Sequence, residues 1–134
     1  MTAYVERRTT ELVKKDKELG MLKLNREAKI LVNGHLAGVL SEFKEHKNVR
    51  ITFQYDEDYL KNGSPIGYHI PLKQTPFEWN ELPYLFQNLA SEGWLRKTQC
   101  EEGNINNEDT LGLLLANGKN LIGALAIIPH IREQ

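Results

Sequence analysis

Ile30-Leu31-Val32-Asn33-Gly34-His35-Leu36-Ala37-Gly38-Val39-Leu40 is the stretch that decides the fold. Two apolar runs flank an Asn-Gly pair. The turn of a two-residue hairpin needs positive φ at both positions, and Asn and Gly tolerate that best. The stretch therefore predicts two antiparallel strands joined by a tight turn. Just downstream, the charged residues 42–48 read as a loop. Val49, Ile51, Phe53 and Tyr55 then alternate with Arg50, Thr52 and Gln54, as in a strand with one apolar and one wet face. Residues 66–72 read as a further extended piece ended by Pro71.

Beyond residue 80 the period changes. Leu82, Leu85, Phe86 and Leu89 fall at i, i+3, i+4 and i+7, one apolar face of a helix, with Pro83 in its first turn. Ser91-Glu92-Gly93 interrupts the run. Residues 94–102 read as a second helix ended by Gly103. A third starts at Asn106 as N-cap, with Glu108 and Asp109 suited to the positive end of its dipole. It continues through Leu111, Leu113, Leu114 and Leu115 to Gly118. Residues 121–128 read as a closing strand, stopped by Pro129. Strands, then helices, then a strand give an α+β class: a small antiparallel sheet or partial barrel with three helices in the C-terminal half.

Residues 1–27 stand apart as an N-terminal helical extension, leaving 28–134 as the main domain. Val5, Leu12 and Leu19 recur every seven residues, but Thr9 and Asp16 fall between them, so this is half a heptad stripe. It reads as a solvated helix stopped at Gly20, with a partner-docking helix as the alternative.

Composition narrows the function. The chain has 134 residues, 40% hydrophobic and 26% charged, as expected of one folded domain. A formal net charge of -1 leaves no positive surplus for phosphates, which argues against direct nucleic-acid binding. The single cysteine, Cys100, cannot build a disulfide framework and fits a reducing compartment. No apolar run is long enough to span a bilayer. The expectation is a cytoplasmic protein with no membrane partner.

Catalytic patterns are sparse. His35, His46, His69 and His130 lack metal-ligand spacing, and none neighbours Cys100 in sequence, so no metal site and no thiol nucleophile is expected. Gly118-Lys119 lacks the earlier glycine and the Ser/Thr of a phosphate loop. The protein-kinase signatures are missing. Asp56, Glu57, Asp58 and the pair Glu101–Glu102 read as solvated surface rather than general acids. Cys100 reads as a spectator among polar residues. Trp79 and Trp94 each sit beside a helix, where a core position and an interface position are both open.

Taken together, several segments are similar to one family. Residues 30–40 resemble the opening hairpin of the N-terminal domain of HipA-type toxin kinases. Phe53-Gln54-Tyr55-Asp56-Glu57-Asp58-Tyr59-Leu60 resembles its F-x-Y-D-x-x-Y-L segment, and Ile70-Pro71-Leu72 its S-L-P-L. Residues 86–96, Phe-Gln-Asn-Leu-Ala-Ser-Glu-Gly-Trp-Leu-Arg, resemble its F-x-N-L-L-P-E-G-x-x-R. Residues 113–125 resemble its L-L-x-x-x-G-x-D-x-x-G-A-L. Ala90-Ser91 replaces Leu-Pro, Tyr68-His69 replaces a Ser-rich stretch, and Asn120 replaces Asp. Nothing here corresponds to the kinase body.

The resemblance implies a HipS-like antitoxin of a tripartite toxin–antitoxin system. Such a protein binds, in trans, a HipA-family serine/threonine kinase that lacks its own N-terminal domain, and inhibits it. It needs no cofactor and no metal, and it is not an enzyme. The resemblance also implies a contact at Ser91, Glu92, Gly93, Trp94, Leu95 and Arg96. Trp94 would plug the kinase cleft, Leu95 would pack beside it, and Glu92 and Arg96 would line the rim. The competing expectation turns Trp94 inward. A rival role is a co-repressor or scaffold that bridges the kinase to a DNA-bound helix-turn-helix partner, with residues 1–27 as the docking arm. A small hydrolase or transferase whose site forms only in space is a third possibility.

Overall fold

The computed structural model describes residues 22–120 and 124–130. In chain order the elements are β1 (Lys23–Val32), β2 (His35–Glu45), β3 (Asn48–Tyr55), α1 (Glu57–Asn62), β4 (Phe77–Trp79), α2 (Tyr84–Gln87), α3 (Gly93–Gly103), α4 (Thr110–Asn117), a 3₁₀ turn (Gly118–Asn120) and β5 (Leu125–Pro129). The five strands form one antiparallel sheet in the order β4-β3-β2-β1-β5. This is an α+β fold.

The Asn-Gly hairpin is where the sequence puts it. Asn33 has φ 50 and Gly34 φ 82, and Val32 pairs with His35. The next connection differs from expectation. Residues 42–45 are strand, not loop, and only His46 and Lys47 separate β2 from β3. Similarly, β1 begins at Lys23, so residues 23–27 lie in the sheet rather than in a helical extension. Residues 1–21 of that extension, with Gly20, lie outside the described residues. Both differences have one cause. The charges that suggested solvent exposure pair across the strands: Arg26 with Glu42, and Glu27 with the hydroxyl of Ser41. Cross-strand pairs of this kind stabilise a sheet without apolar alternation.

The predicted wet face of β3 is closed as well. Thr52 and Gln54 are buried, and on the same side of β2 so are Val39, Ser41 and Phe43. Gln54 satisfies its amide by donating to the carbonyl of Gln74 at 3.1 Å, which removes the penalty for burying it.

The main core lies on the other face. Ala28, Ile30, Leu40, Phe53, Tyr55 and Ile127 project from the strands and meet Phe86, Cys100, Leu111, Leu113 and Leu114 from the helices. Cys100, although its sequence neighbours are polar, is a core residue of α3. The 66–72 segment is a tight loop with a single Gly67–Ile70 bridge, not a strand. Buried Tyr55 shapes it: its hydroxyl accepts from Ile66 N–H at 3.0 Å and donates to the Ile70 carbonyl. A side chain thus replaces the strand partner this loop lacks. Residues 77–79 form the edge strand β4 against Ile51–Phe53.

Helix boundaries shift by a few residues. α2 is a single turn with Pro83 as N-cap. α3 includes Gly103, and Asn104 closes it in the left-handed region at φ 54. The N-cap of α4 is Asp109, whose carboxylate accepts from Gly112 N–H at 3.1 Å; Asn106 instead accepts from Glu108 N–H in a local turn. β5 covers only the end of the expected strand, and residues 121–123 lie outside the description. No described helix is long and apolar enough to cross a membrane.

Candidate functional site

The α2–α3 junction brings all six sequence-nominated residues into one turn. Phe86 and Ala90 are buried and anchor the approach. Glu92 is extended at φ -127, ψ 170, and Gly93 then takes φ 63. A Cβ at position 93 would meet no atom within 4 Å, so the demand for glycine is dihedral rather than spatial. This kink aims the first turn of α3 outward.

Trp94 is 78% exposed and Leu95 42%. The helical neighbours of Trp94 at i+3, i+4 and i+7 are Lys97, Thr98 and Glu101, so its face of α3 is polar. The inward expectation for Trp94 does not hold. Glu92 is exposed beside it.

Arg96 departs from its expected place on the rim. Its guanidinium turns back along the surface toward α4, where Nε and Nη2 donate to the Asn107 carbonyl at 3.1 and 2.7 Å. Nη2 also donates to Thr110 Oγ1 at 3.0 Å, and Nη1 makes a longer contact with the Ser91 carbonyl at 3.5 Å. The planar fork joins three segments that the backbone leaves apart: the turn, the α3–α4 loop and the start of α4. Arg96 is a positioning residue for the turn. The reason lies in the helix period, since Arg96 shares its face with Cys100, which is buried in the core.

A second polar junction fixes α4 to the sheet. Arg26 binds Glu42 through Nε at 2.8 Å and Nη2 at 2.9 Å, and Asp109 through Nη1 at 2.8 Å and Nη2 at 3.0 Å. Asn25 adds a bond to Glu42 at 2.8 Å. Hydrogen bonding to Glu42, then to Asp109, outweighs partial burial and raises the Arg26 pKa further. Burial pushes both carboxyls up, but the Arg26 hydrogen bonds and the added bonds from Asn25 and Gly112 hold each below its ordinary range. Asp56 runs the other way: its burial outweighs the backbone N–H groups of Tyr59 and Asp58, and its pKa is raised. Asp56 caps α1, so this perturbed carboxyl has a structural explanation.

Among the described residues no group of three or more His, Cys, Asp or Glu could hold a metal ion. The features that remain are an outward Trp–Leu pair on a braced turn. The family model described as the HipA N-terminal domain matches residues 28–128. The chain belongs to the HipA N-terminal domain family. A protein of Haemophilus influenzae carrying the name "Uncharacterized protein" is 34% identical over 107 residues, covering 80% of this chain and 95% of the relative.

In this HipA N-terminal domain the resembling segments fall on the β1–β2 hairpin, on β3 with α1, on the loop held by Tyr55, on the α2–α3 junction, and on α4 through β5. The family match spans the 91–96 turn and the Arg26 junction's partners Glu42 and Asp109, while Arg26 itself falls just ahead of it. The matched domain is a small N-terminal domain, not a catalytic kinase domain. Sequence reading missed Tyr68 and Tyr84, which are 94% and 76% exposed. The signal for Tyr84 was available: it lies off the 82, 85, 86, 89 stripe.

Proposed function

We propose that this HipA-related domain is a cytoplasmic antitoxin that binds a HipA-family kinase toxin in trans and inhibits it. The contact is the 91–96 turn. Trp94 enters a cleft of the kinase, Leu95 packs beside it, Glu92 meets the rim, and Arg96 keeps the turn in position. One observation carries the reading: a tryptophan on a polar helix face is exposed on a turn braced by three arginine hydrogen bonds. Exposing an apolar residue of this size has no benefit for the isolated domain. An aromatic anchor on a rigid support contributes about 2–4 kcal/mol at an interface. A protein that works by occlusion needs affinity and geometry rather than reactive groups.

The experiment is co-purification with the kinase encoded beside this gene, followed by a kinase assay with and without the chain. A stable complex with suppressed kinase activity, lost on Trp94→Ala, supports the proposal. A stable complex with full kinase activity supports a scaffold or co-repressor that bridges the kinase to a helix-turn-helix protein. No complex overturns both.

A further inference from the structure

A second surface feature lies away from the 91–96 turn, and none of those six residues lines it. It is a groove of about 750 Å³ between the 67–70 loop and the 79–87 segment. Ile70, Leu82 and Leu85 give it an apolar floor, and Trp79, Tyr68 and Tyr84 stand along it. Neither tyrosine is covered, and among the described residues neither hydroxyl has a hydrogen-bond partner. Both walls are fixed before anything binds. Tyr55 and the Gly67–Ile70 bridge hold one. Gln87, donating to the Leu82 carbonyl at 2.6 Å, holds the other.

The chemistry of the lining selects an occupant. Three aromatic side chains and Pro83 along one groove suit a polyproline II segment, whose preformed backbone loses little entropy on docking. Glu81 is the sole carboxylate in the lining, and no lysine or arginine is present. His69, the one histidine in the lining, packs edge-on against Tyr68 at 4.7 Å. An anionic edge beside aromatic faces favours a cationic side chain, through both charge and the ring quadrupole.

We propose that this groove is a docking site for an extended, proline-containing segment of a partner protein that carries an arginine or lysine next to the prolines. It is independent of the kinase contact at Trp94. The segment lays its prolines between Tyr68, Trp79 and Tyr84 and sets its cation against Glu81.

The test uses the full chain with Trp94→Phe, which leaves Trp79 as the sole tryptophan emitter. It is titrated with a blocked Pro-Pro-Leu-Pro-Pro-Arg peptide, with the same peptide ending in Glu, and with one in which Gly replaces every Pro. The expected result is a saturable change in emission with the Arg peptide. Binding weakens by about tenfold or more with the Glu or the Gly peptide. Tyr68→Ala and Tyr84→Ala weaken it by about fivefold or more, with unchanged circular dichroism. Glu81→Lys reverses the preference between Arg and Glu. In the chain that retains Trp94, Tyr84→Ala leaves kinase inhibition intact, which separates this site from the proposed antitoxin contact. No saturable binding, equal binding of all three peptides, or binding indifferent to both tyrosines overturns the proposal.

Discussion

The two tryptophans occupy opposite situations. Trp79 sits on the edge strand β4, half-buried, and stacks face to face on Phe77 at 5.8 Å. Trp94 opens a helix and stacks on nothing in the described residues. The difference comes from neighbours at the period of each element. Phe77 and Trp79 are two apart on a strand and share a face, and Lys73 caps that stack by lying over Phe77. Trp94 shares its helical stripe with Lys97 and Glu101, so no apolar surface is available to it. One residue type thus serves the fold in one place and is withheld from it in the other.

The largest expected effect separates these roles. Trp94→Ala reduces affinity for the kinase by about thirtyfold or more, yet changes stability by less than about 0.5 kcal/mol. A thermal melt and a binding titration on the same sample check both halves. A clear drop in melting temperature with unchanged binding would reverse the comparison. Trp79→Ala does the opposite. It costs about 2 kcal/mol of stability, below the range for a fully buried tryptophan because the ring is half exposed. Urea denaturation measures it, and kinase binding by the folded fraction stays unchanged.

The brace sharpens the contrast. Arg96→Ala removes the bonds to Asn107 and Thr110 and leaves their oxygens to solvent. The loss is about 1–2 kcal/mol, and kinase binding falls with it although Trp94 is intact. Lysine at 96 restores charge but not the fork, so Arg96→Lys recovers little. Full binding by Arg96→Ala would mean the turn needs no bracing. Gly93→Ala acts only through φ and costs about 1 kcal/mol, read by the same denaturation experiment.

The smallest effect is a pH dependence in a region that contains neither tryptophan. Glu42 and Asp109 have folded pKa values below their ordinary range. Their contribution is therefore complete above about pH 4–5 and is lost as pH falls through the lower folded values. The gap in melting temperature between wild type and Arg26→Gln is widest near neutrality and narrows below about pH 4. A gap that stays constant to pH 3 would remove these carboxylates from the account.

Local chemistry made much of the fold readable. Asn33-Gly34 announces the hairpin because only a turn of that kind needs two positive φ values in succession. The 49–55 alternation announces β3. What failed to read was polar residues with partners distant in sequence. Arg26 meets Asp109 across 83 positions, so a strand held by such pairs looks like a solvated segment. Gln54 and Gln74 hid a buried face in the same way. The site was half legible. The family-like Glu-Gly-Trp stretch marked the turn, and the polar stripe of Lys97 and Glu101 could have turned Trp94 outward at once. The course of Arg96 toward α4 was not readable, because apart from the Thr110 hydroxyl its acceptors are backbone carbonyls, which have no sequence signature.

The pairing of β1 with β5 has a consequence during synthesis. Val32 pairs with Leu125, and Ala28 with Pro129, so about ninety residues separate the two halves of this ladder. At roughly 5–20 residues per second, β1 waits on the order of 5–20 s after it is made before β5 emerges. Its hairpin with β2 closes within microseconds, but the opposite edge of β1 stays open for that whole interval. An open edge is a template for any passing strand, including β5 of a neighbouring nascent chain. The same layout that finishes the domain with its final described strand therefore makes dense polysomes the place where this chain is most prone to pair with the wrong copy of itself.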